Sequence, residues 1–161
     1  MKSKLIATAI ASLALATAVR GAEPVVAASP EAQKKMLESS DPQLAANKKL
    51  VYDMWRVFLQ GGDINAADKY LAPEYHQHNP NADTGLEGVK AYFRAAGRTA
   101  TPPKDSIDGL VAITAERDLV MIARLRELKD KEGKAYTTTT FDLFRVANGK
   151  IVEHWDIATK P

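Results

Sequence analysis

Thr140-Phe-Asp-Leu-Phe-Arg-Val-Ala-Asn-Gly-Lys-Ile-Val-Glu-His-Trp-Asp156 carries two strand-like runs of apolar and aromatic residues on either side of an Asn-Gly pair. That pattern predicts a β-hairpin. Alternate side chains of a strand share a face, so His154 and Asp156 point the same way, among aromatics, and suggest a tuned proton-transfer site. Whether Asp142 joins them depends on the turn. With a two-residue type I′ loop Asp142 faces Trp155; with a three-residue loop ending at a left-handed Gly149, Val146 pairs with Lys150 and Asp142 falls opposite His154. The second register is taken forward, because it gathers Asp142, Phe144, Val152, His154 and Asp156 on one face. It leaves Phe141, Leu143, Ile151 and Trp155 on the other, with Arg145 near Glu153.

Upstream of the hairpin the period-2 pattern continues. Strands are expected over 107–115, 119–128, 135–146 and 150–158, joined by short turns and therefore antiparallel. Before residue 105 the period is helical. Ser29 and Pro30 open a helix over 29–40, and Asp41 and Pro42 open a longer one carrying Leu44, Val51, Met54, Trp55 and Phe58 to Gly61-Gly62. A short helix over 65–71 leads to an extended segment between Pro73 and Pro80, and Thr84-Gly-Leu-Glu87 opens a last helix through Val89, Tyr92 and Phe93. Helices first and a meander afterward indicate an α+β domain, with helices on the concave face of the sheet and a pocket open at one end.

The chain has 161 residues, enough for one domain, and contains no cysteine. Disulfides, thiolate chemistry and Cys-type zinc sites are thereby excluded. Lys2 and Lys4 precede an uncharged Ala/Leu-rich run from Leu5 to Val19, the pattern of a secretory signal peptide over residues 1–21, with cleavage after Ala18 or Gly21. Residues 22–40 then form a linker and N-terminal helix, and 41–161 the folded domain. Removing the leader takes Lys2, Lys4 and Arg20 from 22 basic residues, leaving 19 against 20 acidic ones. A near-neutral mature chain without a basic block argues against nucleic acid and anionic membrane as partners. The expected location is periplasmic or secreted.

Three groups of residues carry potential chemistry. His76 and His78 share a face of the extended segment and, with His154 and Asp156, form a potential metal set, although no strict ligand motif is present and no metal is expected. Asp142 and Asp156 form either a functional carboxylate pair or partners for Arg124, Arg126 or Arg145. Tyr75, Gln77 and Asn79 either hydrogen-bond a ligand carbonyl or satisfy the local turn. Trp55 lies on a stripe that reads as core and, alternatively, as an apolar wall of the pocket.

Two blocks resemble the SnoaL-like polyketide cyclase branch of the nuclear transport factor 2-like superfamily. They are Tyr75-His-Gln-His-Asn-Pro80 followed by Gly85-Leu-Glu-Gly88, and Phe141-Asp-Leu-Phe-Arg145 followed by Asn-Gly-Lys-Ile-Val-Glu-His-Trp-Asp156. The resemblance implies a cone-shaped α+β barrel, of the cystatin-like kind, with a cavity between curved antiparallel sheet and helices, and frequently a homodimer across the outer sheet face. It also implies that Asp156 matches the aspartate that acts as general acid/base in an intramolecular aldol closure. Asp142 stands where those cyclases carry a histidine, so His154 or His78 is expected to take that part. The resulting expectation is a cofactor-free lyase or isomerase acting on a small apolar carbonyl or hydroxyl compound. Asp156, His154, His78 and Asp142 would be its catalytic residues, with Tyr75, Asn79, Trp55, Phe93 and Phe144 lining the pocket. A non-catalytic periplasmic binding or association module is the alternative.

Overall fold

The computed structural model describes residues 26–158, so the expected leader and both cleavage positions lie outside the described residues. Helix α1 spans Pro30–Met36, shorter than expected. Ser29 caps it, its Oγ accepting from the Ala32 amide at 3.2 Å. It stops at Met36 because Lys48, from the next helix, donates to the carbonyls of Met36 and Glu38, both at 2.6 Å, and a buried cation there rewards a broken turn over a continued helix. Gln33 is 2% exposed yet satisfied at both ends, donating to the Ala28 and Ile107 carbonyls and accepting from the Tyr52 hydroxyl and the Ile107 amide. It therefore ties α1 to the loop that enters the sheet.

Helix α2 spans Pro42–Met54 and begins as the sequence predicts, with Asp41 accepting from the amides of Gln43 and Leu44. From Trp55 to Gln60 it widens into a π-helical turn, a feature with no signature in the sequence pattern. Gly61 ends it where a Cβ would meet the Val57 carbonyl oxygen at 2.6 Å. A 3₁₀ turn, Ile64–Ala66, and helix α3, Ala67–Tyr70, lead into strand β1, Leu71–Gln77, after which helix α4 spans Leu86–Ala95. Strands β2 (Leu110–Glu116), β3 (Leu119–Lys129), β4 (Ala135–Ala147) and β5 (Lys150–Trp155) form the expected antiparallel meander. The sheet order is β1-β5-β4-β3-β2. β1 adds a fifth strand, parallel to β5, so the curved sheet is mixed at one edge instead of wholly antiparallel.

The helices cover the concave face of the sheet. Val51, Met54 and Phe58 from α2 and its extension pack against Val120 and Ile122 of β3, Phe144 and Val146 of β4, and Ile151 of β5, all buried. This two-layer α+β arrangement is the fold the sequence predicts.

The hairpin register differs from both sequence readings. Asn148 (φ 51°) and Gly149 (φ 72°) are both left-handed, so the turn is the two-residue type I′ form, with Ala147 paired to Lys150 and Val146 to Ile151. One pair further, the register shifts. Arg145 pairs with Glu153 and Phe144 with His154, so Val152 is an extra residue bulged out of the ladder. The expected pairing of Val146 with Lys150 is thus corrected, and Ile151 turns inward instead of lying beside Trp155. Of the expected set, Asp142, Phe144, His154 and Asp156 share the concave side, whereas Val152 does not join them in the ladder. The proximity of Arg145 and Glu153 also holds, as an ion pair at 2.9 Å.

Candidate active site

A cavity of about 170 Å³ opens between the helices and the concave face. Its apolar wall includes Met54, Phe58, Phe93 and Phe144, and its polar end is formed by Tyr75, Gln77, Asn79, Asp142, His154 and Asp156. Strand alternation along β1 and its continuation brings Tyr75, Gln77 and Asn79 inward, while the bulge at Val152 lets His154 face inward although Ile151, three residues earlier, does too.

The polar groups form one connected network. The Asn79 backbone amide donates to Gln77 Oε1 at 3.0 Å, which fixes the orientation of that side-chain amide. Gln77 Nε2 then donates to His154 Nδ1 at 3.0 Å and to the Tyr75 hydroxyl at 3.2 Å. An imidazole nitrogen that accepts carries no proton, so His154 is the neutral Nε2–H tautomer, and that N–H donates to Asp142 Oδ1 at 3.1 Å. The residue is 7% exposed and its ring stacks flat on Phe144, with 4.3 Å between centroids and 3° between planes. Both nitrogens are committed, so His154 acts by positioning Asp142.

Asp156 is held differently. Its Oδ2 accepts from the Asn79 side-chain amide at 3.0 Å, whereas its Oδ1 is buried with no hydrogen-bond partner among the described residues. Such an oxygen is costly to leave unpaired, so it marks where a donor from outside the chain would be stabilised. Tyr75 is 3% exposed. Burial, reinforced by the charges of Asp156 and Asp142, pushes its phenol well above the ordinary tyrosine range, so it stays protonated and its O–H is available to a ligand oxygen.

The three histidines do not converge. His78 lies on the outward side, where its Nε2 donates to Glu153 at 3.0 Å and its ring stacks on Trp155 with centroids 4.4 Å apart. His76 packs edge-on against it at 4.3 Å. His78 is therefore outside the cavity, contrary to the expectation for it, because the strand that turns Gln77 inward must turn 76 and 78 outward. Ligating atoms of Asp142, His154 and Asp156 do lie within 4.8 Å of one another. A cation there would need the lone pair of His154 Nε2, which the Gln77 amide keeps protonated, so this donor set fits a proton-transfer network better than a metal.

Trp55, expected on the apolar wall, lies behind it, edge-on to Phe144 at 6.2 Å and absent from the cavity lining. Phe93, Phe144, Tyr75 and Asn79 do line the cavity. The arginines offered as partners for the aspartates do not take that part: Arg145 pairs with Asp118 and Glu153, and neither Arg124 nor Arg126 forms an ion pair with Asp142 or Asp156. The clamping of His154 by Gln77 was missed as a role, although its two-residue spacing from Tyr75 and Asn79 marked all three as one face.

The profile of the SnoaL-like domain matches residues 51–154, which includes every cavity-lining residue named above except Asp156, two residues beyond its end. The chain belongs to the SnoaL-like family. Solved structures similar to this SnoaL-like chain include a "putative polyketide cyclase" from Acidithiobacillus ferrooxidans, 23% identical with a TM-score of 0.54, covering 74% of this chain and 89% of that one. A "putative SnoaL-like polyketide cyclase" from Jannaschia sp. CCS1 is 14% identical with a TM-score of 0.55, covering 74% and 90%. An LEH-like epoxide hydrolase of M. tuberculosis is 19% identical with a TM-score of 0.52, covering 71% and 84%. At these identities the likeness shows the nuclear transport factor 2-like fold, and chemistry must come from the site itself. No curated protein matches the sequence.

Proposed function

We propose that this SnoaL-like protein is a cofactor-independent lyase or isomerase that abstracts a proton from the carbon beside a carbonyl in a small, largely apolar molecule. The observation that carries the reading is the unpartnered Asp156 Oδ1 at the polar end of an otherwise apolar cavity. The C–H bond of the substrate breaks, its proton goes to Asp156 Oδ1, and the electron pair moves onto the carbonyl oxygen. Tyr75, a donor that burial keeps neutral, stabilises that oxygen as an enolate. Asn79 fixes Asp156 through Oδ2, and His154 fixes Asp142 as the second carboxylate. The enolate then closes a ring by aldol addition, is reprotonated elsewhere, or expels a hydroxyl.

The leader-like sequence at residues 1–21 supports export to the periplasm or beyond. The outer sheet face, where Met121 (36% exposed) and Phe141 (51% exposed) stand out, supports pairing of two copies through that face.

Deuterium incorporation tests the chemistry without knowledge of the natural substrate. Cyclohexanone in D₂O should exchange its α-hydrogens faster with the wild-type protein than in buffer, and Asp156→Asn should lower the excess rate roughly a hundredfold or more with the fold intact. An Asp156→Asn variant as active as wild type removes Asp156 from the mechanism. Ketone binding without any exchange assigns the cavity to a binding module instead.

A further inference from the structure

The concave face does not end at the carboxylates. Along β3, Val120 and Ile122 are fully buried, and the next two residues on that face are Arg124 and Arg126. Thr140 of β4 pairs with Arg124, and Asp142 pairs with Ile122. A second hollow of about 330 Å³ lies here, bordered by Trp55, Arg124, Arg126 and Thr140, and it shares Asn79, Asp142 and Asp156 with the apolar cavity. The two hollows therefore meet at the carboxylates.

Neither arginine of this second hollow forms an ion pair among the described residues, although Asp142 and Asp156 border it. Arg124 lies over the Trp55 ring, 4.6 Å from its centroid, and its Nε donates to the Asp108 carbonyl at 3.1 Å, which leaves the end of the guanidinium fixed and facing the hollow. Arg126 forms no hydrogen bond or ion pair among the described residues. Burial lowers the Arg124 pKa, Asp142 opposes that shift, and the like charge of Arg126 adds to it. Beside them the Thr140 hydroxyl is buried with no partner. Arg124, half-buried, and Arg126, exposed, put two like charges at adjacent positions of one face, a repulsion that an anion between them would relieve.

Resting on the reading of the apolar cavity as a ligand site, we infer that the substrate is a carboxylate: its anionic end lies against Arg124, Arg126 and the Thr140 hydroxyl while its chain passes the aspartates into the apolar cavity. Two guanidinium groups and one hydroxyl suit the two oxygens of a single carboxylate. The carbonyl would then stand along the chain, within reach of Tyr75 and Asp156. Asp142 and Asp156 confine the negative end to the arginine side, so the arrangement also fixes which way round the molecule enters.

Titration calorimetry on the full chain with 5-oxohexanoate and its uncharged methyl ester tests this. Wild type should bind the acid at least about tenfold tighter than the ester, a preference that shrinks as salt rises. Arg126→Gln should abolish the preference and leave ester binding unchanged; its side chain is exposed, whereas substituting Arg124 would disturb packing on Trp55. Equal affinity for acid and ester, or an Arg126→Gln variant that keeps the preference, overturns the carboxylate inference while the cavity reading stands. Binding of neither compound overturns both.

Discussion

Replacing Gln77 with Leu removes three hydrogen bonds at once: Nε2 to His154 Nδ1 at 3.0 Å, Nε2 to the Tyr75 hydroxyl at 3.2 Å, and the Asn79 amide to Oε1 at 3.0 Å. A net hydrogen bond contributes about 1 kcal/mol, but the three are not equal. The Asn79 amide is half-buried and regains water. His154 Nδ1 sits in a side chain only 9% exposed and loses its donor outright. The expected loss is therefore roughly 2–4 kcal/mol, which a domain of ordinary stability tolerates without unfolding. Urea unfolding measures the loss as a lower midpoint at unchanged slope. The same substitution releases the tautomer. In wild type the ¹⁵N spectrum of His154 should show an unprotonated Nδ1 and a protonated Nε2; in Gln77→Leu the two forms should mix, because only Asp142 still selects between them. A wild-type His154 protonated on Nδ1, or a variant as stable as wild type, refutes the account of how this ring is held.

Two further outcomes follow from burial and exposure. The folded state holds the Tyr75 proton at pH values where an unfolded tyrosine, with its ordinary pKa of 10.0, loses it. The stability this confers is complete below that range and declines as the pH rises beyond it, so Tyr75→Phe should unfold less steeply with alkali; Tyr52, also raised by burial, keeps the slope from vanishing, and an unchanged slope contradicts the assignment. Sedimentation should find a dimer for the wild-type chain and a monomer for Met121→Glu combined with Phe141→Glu, since both side chains are exposed on the outer face. A wild-type monomer removes the dimer proposal.

The fold was legible because its signals are local. Asp41-Pro42, Gly61-Gly62 and the Asn-Gly turn each fix an element boundary through backbone chemistry that tertiary packing does not override. β1 was the element hardest to assign. Pro73 removes a ladder donor and the pairing slips between Leu71 and His76, so the segment reads as extended without revealing the strand it joins. The short α1 was hidden for another reason, since its end is set by Lys48 from a different helix.

The site shows the same division, sharpened by one residue. Joining Asp142 and Phe144 to His154 and Asp156 rested on a three-residue loop, which the structure replaces with a tight turn and a bulge. The sharing of a face within each strand followed from parity, which is legible in the sequence. The bulge at Val152 is not, because nothing in Lys-Ile-Val-Glu distinguishes a regular strand from one with an extra residue. An unbulged type I′ hairpin, continued in the register of its turn, would set Asp142 opposite Trp155 and send it to the face away from His154. A three-residue loop would unite Asp142 with His154 but turn Ile151 outward, exposing a side chain that is fully buried. Only the tight turn followed by a bulge buries Ile151 and still delivers His154 to Asp142. Core and chemistry make competing demands on β5, and Val152 is where the strand reconciles them.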